Sequence, residues 1–180
     1  MKFKLRNYFF SLRKKKYFSF TKQQFNSLLF RIHREKKNII GTYWAINNEV
    51  DLSILNKILF KKNKTLALPF INSKNEMEFK IWRKQDCLQL NKFGIAQTFK
   101  KSETVFPNII LTPLLAFNNF RYRLGYGSGY YDKYFSNLSK NNRKFTTIGI
   151  GFYFQKTNKF TAHNLDFPLD NIFTEKGFLN

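Results

Sequence analysis

Cysteine occurs once, as Cys87, so no disulfide can form within the chain and a reducing, cytoplasmic setting is expected. Histidine occurs twice, as His33 and His163, too few for a zinc site of the usual Cys/His kind. No window approaches the roughly 18 apolar residues of a membrane-spanning helix. The opening MKFKLRNYFFSLRKKKYFSF interrupts its apolar residues with charge and lacks the apolar stretch of a signal peptide. There is no internal repeat and no linker rich in proline, glycine or serine. What is present is 43% hydrophobic and 19% aromatic, which argues against disorder. At 180 residues the default is one domain spanning 1–180, long enough to bury a real core. Acidic residues are scarce, 11 against 32 basic ones, for a formal charge of +21. Such a surface attracts polyanions. The alternative reading needs no partner: an A/T-rich coding bias favours lysine, asparagine, phenylalanine and isoleucine.

Periodicity gives a coarse map. Leu5, Tyr8, Phe9 and Leu12 recur at helical spacing within residues 2–16. Thr21 and Gln24 form a capping box ahead of Phe25, Leu28, Leu29 and Ile32, predicting a second amphipathic helix to about Lys36. NIIGTYWAI reads as a buried strand. VDLSILNKILF reads as a helix with Asp51 at its N-cap and Leu52, Leu55, Ile58 and Leu59 on one face. TLALPFI, NIILTPLLAF and FTTIGIGFYF read as further buried strands. MEFKIW alternates at period two and suits an edge or half-exposed strand. Helical signal resumes at residues 130–138. Strands alternating with helices predict an α/β fold: a three-layer sandwich, its mostly parallel sheet covered by helices on both faces in a Rossmann-like arrangement.

The stretch RYRLGYGSGYYDKYF, residues 121–135, holds three of the eight glycines, Gly125, Gly127 and Gly129, between a buried strand and a helix. In α/β sheets, ligands bind beyond the carboxyl ends of the strands, which is that location. Alternating glycines before a helix can aim several amides at one phosphate, with Arg121, Arg123 and Lys133 as countercharge. The spacing is neither the P-loop nor the dinucleotide fingerprint. A tight structural turn is the other reading. Tyr126, Tyr130 and Tyr131 either pack or face a flat heterocycle. Asp132 either complements the helix dipole or holds a magnesium ion beside phosphates.

RLGYGSGYYDKY closely resembles the signature of the 5-formyltetrahydrofolate cyclo-ligase (5,10-methenyltetrahydrofolate synthetase) family. KFKLR resembles its N-terminal Lys-x-x-Leu-Arg, TYWAINNEVDL its substrate-glutamate segment, and LDFPLDNIFTE its C-terminal Asp-x-Pro-x-Asp run. The resemblance implies an ATP- and Mg²⁺-dependent enzyme that cyclises 5-formyltetrahydrofolate to 5,10-methenyltetrahydrofolate. It implies that Lys2, Arg6, Arg123, Leu124, Gly125, Tyr126, Gly127, Ser128, Gly129, Tyr130 and Tyr131 line the ATP site. Arg6, Trp44, Glu49 and Tyr126 through Tyr130 border the folate, Asp132 and Asp166 hold Mg²⁺, and Arg123, Tyr130 and Asp132 are catalytic. The partners it implies are ATP and 5-formyltetrahydrofolate, with or without a polyglutamate tail, bound by a monomer with no membrane and no nucleic acid.

Each of these residues also has a plainer reading. Lys2 and Arg6 would be solvated, Trp44 core, Glu49 a turn residue, Asp166 a loop cap, and Asp170 structural. The chain departs from the family pattern at Ser128, where lysine or glycine is common, and at Asn118, in place of an aspartate. It departs again at Leu165 and His163 beside Asp166. A basic RNA-binding module and a folate-binding relative without turnover are the competing readings. No RNA-binding signature is found.

Overall fold

The computed structural model describes residues 2–35 and 39–179. Helix α1 (Lys2–Lys16) is followed by α2 (Asn26–Arg34), strand β1 (Ile39–Gly41), α3 (Ser53–Lys61), β2 (Thr65–Ile71) and β3 (Met77–Trp82). Three short strands come next, β4 (Gln89–Leu90), β5 (Ala96–Gln97) and β6 (Thr104–Val105). Then come β7 (Ile109–Pro113), β8 (Ala116–Phe117), β9 (Arg123–Leu124), α4 (Tyr130–Lys140) and β10 (Thr146–Ile150). A 3₁₀ turn (Tyr153–Gln155), β11 (Asn171–Thr174) and β12 (Gly177–Phe178) follow.

Eight strands form one sheet in the order β12-β11-β10-β7-β1-β2-β3-β6. The five central strands, β11 to β2, run parallel, and β12 and β3 flank them antiparallel. Side chains alternate across the pleat, which sorts each apolar run between two layers. Ile109, Leu111, Ile148 and Leu66 pack with Phe25, Leu28 and Ile32 of the α2 layer and with Leu55 and Leu59 of α3. Ile110, Ala67 and Ile172 face the other way, onto Tyr134, Phe135 and Leu138 of α4. The three-layer α/β arrangement expected from the sequence is the one observed. Helix α1 lies outside these layers, with Phe9 against Leu115, Ala116 and Leu124 of the β8–β9 hairpin.

Local details differ from the sequence reading. The Thr21 amide donates to Gln24 Oε1 at 2.8 Å, so the capping box forms, but it closes a turn and the helix begins only at Asn26. The expected helix end at Lys36 and strand start at Asn38 lie outside the described residues. Asp51 caps from one step further out, accepting from the Ser53 amide at 2.8 Å. Tyr8 is 59% exposed, so the buried stripe of α1 runs through Phe9 and Arg13 instead. MEFKIW is the half-exposed strand rather than the edge, with β6 pairing along its outer side. Strand β1 is shorter than its apolar run. After Thr42 donates to the Ala67 carbonyl, the chain leaves the sheet through Asn47 and Asn48, both at positive φ, which asparagine tolerates. No helix among the described residues is long and apolar enough to cross a membrane.

Phe135 is fully buried and meets the rings of Tyr131, Tyr134, Phe145 and Phe167. Phe135→Ala is expected to lower unfolding free energy by about 3–5 kcal/mol in urea titrations. A loss under about 1 kcal/mol would mean that the α4 layer closes over the gap.

Candidate active site

Strand β1 leads through α3 to its neighbour β2, whereas β7, on the other side of β1, leads through α4 to β10. The chain therefore winds in opposite directions from two adjacent parallel strands, and the loops leaving their carboxyl ends diverge. Between them opens a cleft of about 410 Å³. Its walls come from the loop after β1 (Tyr43, Trp44, Ile46, Asn47, Glu49), the end of β2 (Pro69, Ile71) and the glycine loop running into α4. Lys2 and Arg6 of α1 and Asp166 complete it.

Within the glycine loop two positions require glycine. Gly127 has φ +110°, and Gly129, the residue before α4, has φ +67°. A Cβ at Gly127 would sit 3.4 Å from the Arg6 guanidinium, whose Nε donates to the Gly125 carbonyl at 2.9 Å. A Cβ on Gly125 or Gly129 would meet nothing within 4 Å, so the backbone is bare and open there. The start of α4 offers orphan amides at the same place.

Arg123 is the charged centre of this half. It is 8% exposed, its Nη2 lies 2.9 Å from Asp132 Oδ1, and it packs against the rings of Tyr131 and Phe135. Burial lowers its pKa, and Asp132 opposes that shift. Arg123 Nη1 and the Tyr131 hydroxyl are buried with no hydrogen-bond partner among the described residues. Unpaired buried donors of this kind are destabilising unless a ligand uses them. Asp166 lies near the same guanidinium and accepts from Lys2 Nζ at 2.7 Å and the His163 amide at 2.8 Å, both on Oδ2. Burial works against its ionisation, but Lys2, the His163 amide and Arg123 outweigh it and hold Asp166 below the usual carboxylate range. Asp132 uses only Oδ1, for Arg123 and the Phe167 amide. Each carboxylate thus keeps one oxygen without a partner among the described residues. No cluster of three or more His, Cys, Asp or Glu side chains occurs among them, so a fully protein-made metal cage is absent. Two hard carboxylate oxygens beside an anion cradle do suit Mg²⁺, which takes few protein ligands and completes its shell with phosphate and water.

The other half is aromatic and centred on Glu49. This carboxylate is 4% exposed. Oε1 accepts from the Tyr126 hydroxyl at 2.5 Å and Oε2 from the Ile46 amide at 3.0 Å. Burial pushes its pKa from the ordinary 4.5 up to about 6, while Tyr126, the Ile46 amide and Arg13 pull it back. Burial and Glu49 together raise the Tyr126 phenol far above its ordinary range, so it stays a donor. Trp44 is 46% exposed and meets Trp82 edge to face. This half can therefore offer an anionic acceptor and a flat apolar wall to a heterocycle bearing N–H groups.

The structure places Lys2, Arg6, Trp44, Glu49, Arg123 through Tyr131, Asp132 and Asp166 on the wall of this one cleft. Asn118 is structural, its amide oxygen accepting from the Phe120 and Tyr122 amides. Asp170 is too, bonded to the Thr147 amide and hydroxyl. His163 and Leu165 are exposed, and Ser128 sits exposed at the loop tip. Sequence reasoning missed the far wall, Met77, Asn91, Phe93 and Ile95, and also Asn75, which accepts from the Tyr130 hydroxyl at 2.8 Å. It also missed Arg13. A signal existed: positions 2, 6 and 13 fall within about 40° on a helix of 3.6 residues per turn.

A model of the "5-formyltetrahydrofolate cyclo-ligase family" matches residues 5–175. The chain is 29% identical over 145 residues to a 5-formyltetrahydrofolate cyclo-ligase of Haemophilus influenzae, spanning 77% of this chain and 76% of that protein. Its fold is similar to that of a 5,10-methenyltetrahydrofolate synthetase from Mycoplasma pneumoniae, with TM-score 0.71, 27% identity, and coverage of 95% of this chain and 96% of the other. A 5,10-methenyltetrahydrofolate synthetase from Aquifex aeolicus gives TM-score 0.76 at 26% identity, over 98% and 91% of the two chains. The match runs through both walls of the cleft and almost the whole sheet, and on that ground this chain is an enzyme belonging to the 5-formyltetrahydrofolate cyclo-ligase family.

Proposed function

We propose that this enzyme uses ATP and Mg²⁺ to cyclise 5-formyltetrahydrofolate to 5,10-methenyltetrahydrofolate, releasing ADP and phosphate, and that it acts as a monomer. One observation carries the reading. A bare glycine cradle beside a buried, incompletely paired Arg123 shares a single cleft with a buried acceptor, Glu49.

The formyl group on N5 is an amide, and its oxygen leaves poorly. Transfer of the γ-phosphoryl group to that oxygen gives an iminium phosphate, and N10 attacks the activated carbon. That attack closes the ring, the N10 proton passes to water, and expulsion of phosphate then leaves the methenyl product. The protein's work is placement and charge stabilisation. The amides around Gly125, Gly127, Ser128 and Gly129 and the start of α4 cradle the phosphates. Arg123, Lys2 and Arg6 offset their charge, and Leu124, Tyr130 and Tyr131 border the nucleotide. Glu49 accepts from the N–H edge of the pterin, fixing the formyl oxygen toward the γ-phosphate, while Trp44 and Tyr126 flank the ring. Mg²⁺, when bound, would be held by Asp132 and Asp166 and would supply neutralising charge on the phosphate oxygens.

Asp132→Asn keeps shape but removes charge, and turnover is expected to fall about a hundredfold or more. Appearance of the methenyl product, followed by its near-ultraviolet absorbance, measures this, and parent-like turnover would refute the assignment. Glu49→Gln is expected to raise the folate KM about tenfold with the ATP KM little changed. Equal folate KM values would remove Glu49 from the substrate site.

Burying Glu49 also affects stability. Folded, it holds its proton up to about pH 6; unfolded, it releases it near 4.5. Across that window the folded chain binds more protons, so stability attributable to Glu49 falls as pH rises, by about 2 kcal/mol in total. The Glu49→Gln protein should therefore gain on the parent in urea unfolding between pH 4.5 and 7. A pH-independent difference would show that Glu49 titrates alike folded and unfolded.

A further inference from the structure

Arg13 is fully buried, whereas Lys14, Lys15 and Lys16 after it are exposed. Its guanidinium spreads three bonds over three chain segments. Nε donates to the Asn47 carbonyl at 2.8 Å, Nη1 to the Leu114 carbonyl at 3.3 Å, and Nη2 to the Tyr126 hydroxyl at 2.8 Å. Asn47 lies in the turn after β1, Leu114 just past β7, and Tyr126 in the glycine loop. The planar group also packs against the rings of Phe10 and Tyr126. No carboxylate pairs with it directly among the described residues. The anion it faces is Glu49, reached through the hydroxyl that Tyr126 donates to Oε1.

A fork of fixed donors can satisfy acceptors in three directions, and an ammonium on a flexible stem cannot reproduce that. Asn47 has a left-handed backbone, φ 48°, so its carbonyl is held where the Arg13 Nε meets it. Glu49 is two residues further along the same turn. Both bonds that orient its carboxylate therefore depend on Arg13, one through the turn and the other through Tyr126. We propose that Arg13 is a positioning residue of the folate half of the cleft, setting the direction in which Glu49 presents its carboxylate to the N–H edge of the substrate. The inference rests on the reading of Glu49 as the folate contact.

The ionisable groups facing Glu49 are Arg13 from α1, Tyr43 from the loop after β1, and Tyr126 and Tyr131 from the glycine loop and α4. Burial, followed by the charge of Glu49, keeps all three tyrosines neutral. Among them Arg13 alone brings a positive charge to bear on the carboxylate.

The test is calorimetric binding of 5-formyltetrahydrofolate, and separately of ATP with Mg²⁺, from pH 5 to 8, to the parent, Arg13→Met, Arg13→Lys and Glu49→Gln. Arg13→Met is expected to weaken folate binding about tenfold and leave nucleotide binding within about twofold. It should also move the acid midpoint of folate binding up by about one pH unit, because a neighbouring positive charge no longer favours the carboxylate. Parent-like affinity and midpoint, or equal loss for folate and nucleotide, would overturn the proposal. Should Arg13→Met fail to fold by circular dichroism, Arg13→Lys decides. It keeps the charge and loses the fork, so weaker folate binding with an unmoved midpoint is expected, and parent-like affinity refutes the role. If Glu49→Gln binds folate as the parent does, the assignment of Glu49 falls and this inference with it. If Glu49→Gln weakens binding while the Arg13 variants do not, only the role of Arg13 falls.

Discussion

A guanidinium cut off from water must be surrounded by acceptors, and this fold buries two of them at the same end of its sheet. Arg123 takes Asp132 and two aromatic faces; Arg13 takes two carbonyls and a phenol. The requirement reaches across the molecule. The acceptors come from the loop after β1, the end of β7, the glycine loop and the first turn of α4. Pairing the two cations, all but Arg123 Nη1, therefore draws those segments toward one another and shapes the space between them. A buried carboxylate, Glu49, joins the arrangement through Tyr126. Desolvated charge at a ligand cleft is destabilising by itself, and the geometry it imposes supports the proposed placement of substrate.

Scarce acidity makes each carboxylate conspicuous. Of the 11 acidic residues, Asp51, Asp86, Glu175 and Asp170 bond the backbone at turns or strand ends, while Glu49, Asp132 and Asp166 gather at the cleft. Among the described residues, Glu76, Glu103 and Asp170 are the exposed acidic side chains. The basic excess, by contrast, is mostly on exposed side chains such as Lys14–Lys16.

Much of the fold was legible because its signals are local. TLALPFI, by its apolar run, and MEFKIW, by its alternation, are strands with the bounds read from the sequence, and the 130–138 helical signal runs on to Lys140. The glycine loop announced itself by composition. What was not legible depends on distant partners. Arg13 stands in a run of lysines, and only the β7 and β1 loops, far away in sequence, distinguish it from them. Tyr8 has the right helical spacing but no layer to pack against. Of the far wall, Asn91, Phe93 and Ile95 lie in a stretch with little periodicity, since its β4–β5 hairpin is two residues to a strand. The β11 strand was hidden because its four residues, Asn171–Thr174, carry alternation too brief to register.

The ion pair between Lys2 and Asp166 spans 164 positions. During synthesis the first helix leaves the ribosome long before its partner exists. Its cationic stripe, Lys2, Arg6 and Arg13, has nowhere to dock until the β8–β9 hairpin and then the segment around Asp166 have emerged. Strands β1, β2, β3 and β7 precede both docking segments and can pair earlier, so most of the scaffold can form before the mouth of the cleft is complete, with β11 added only after Asp166.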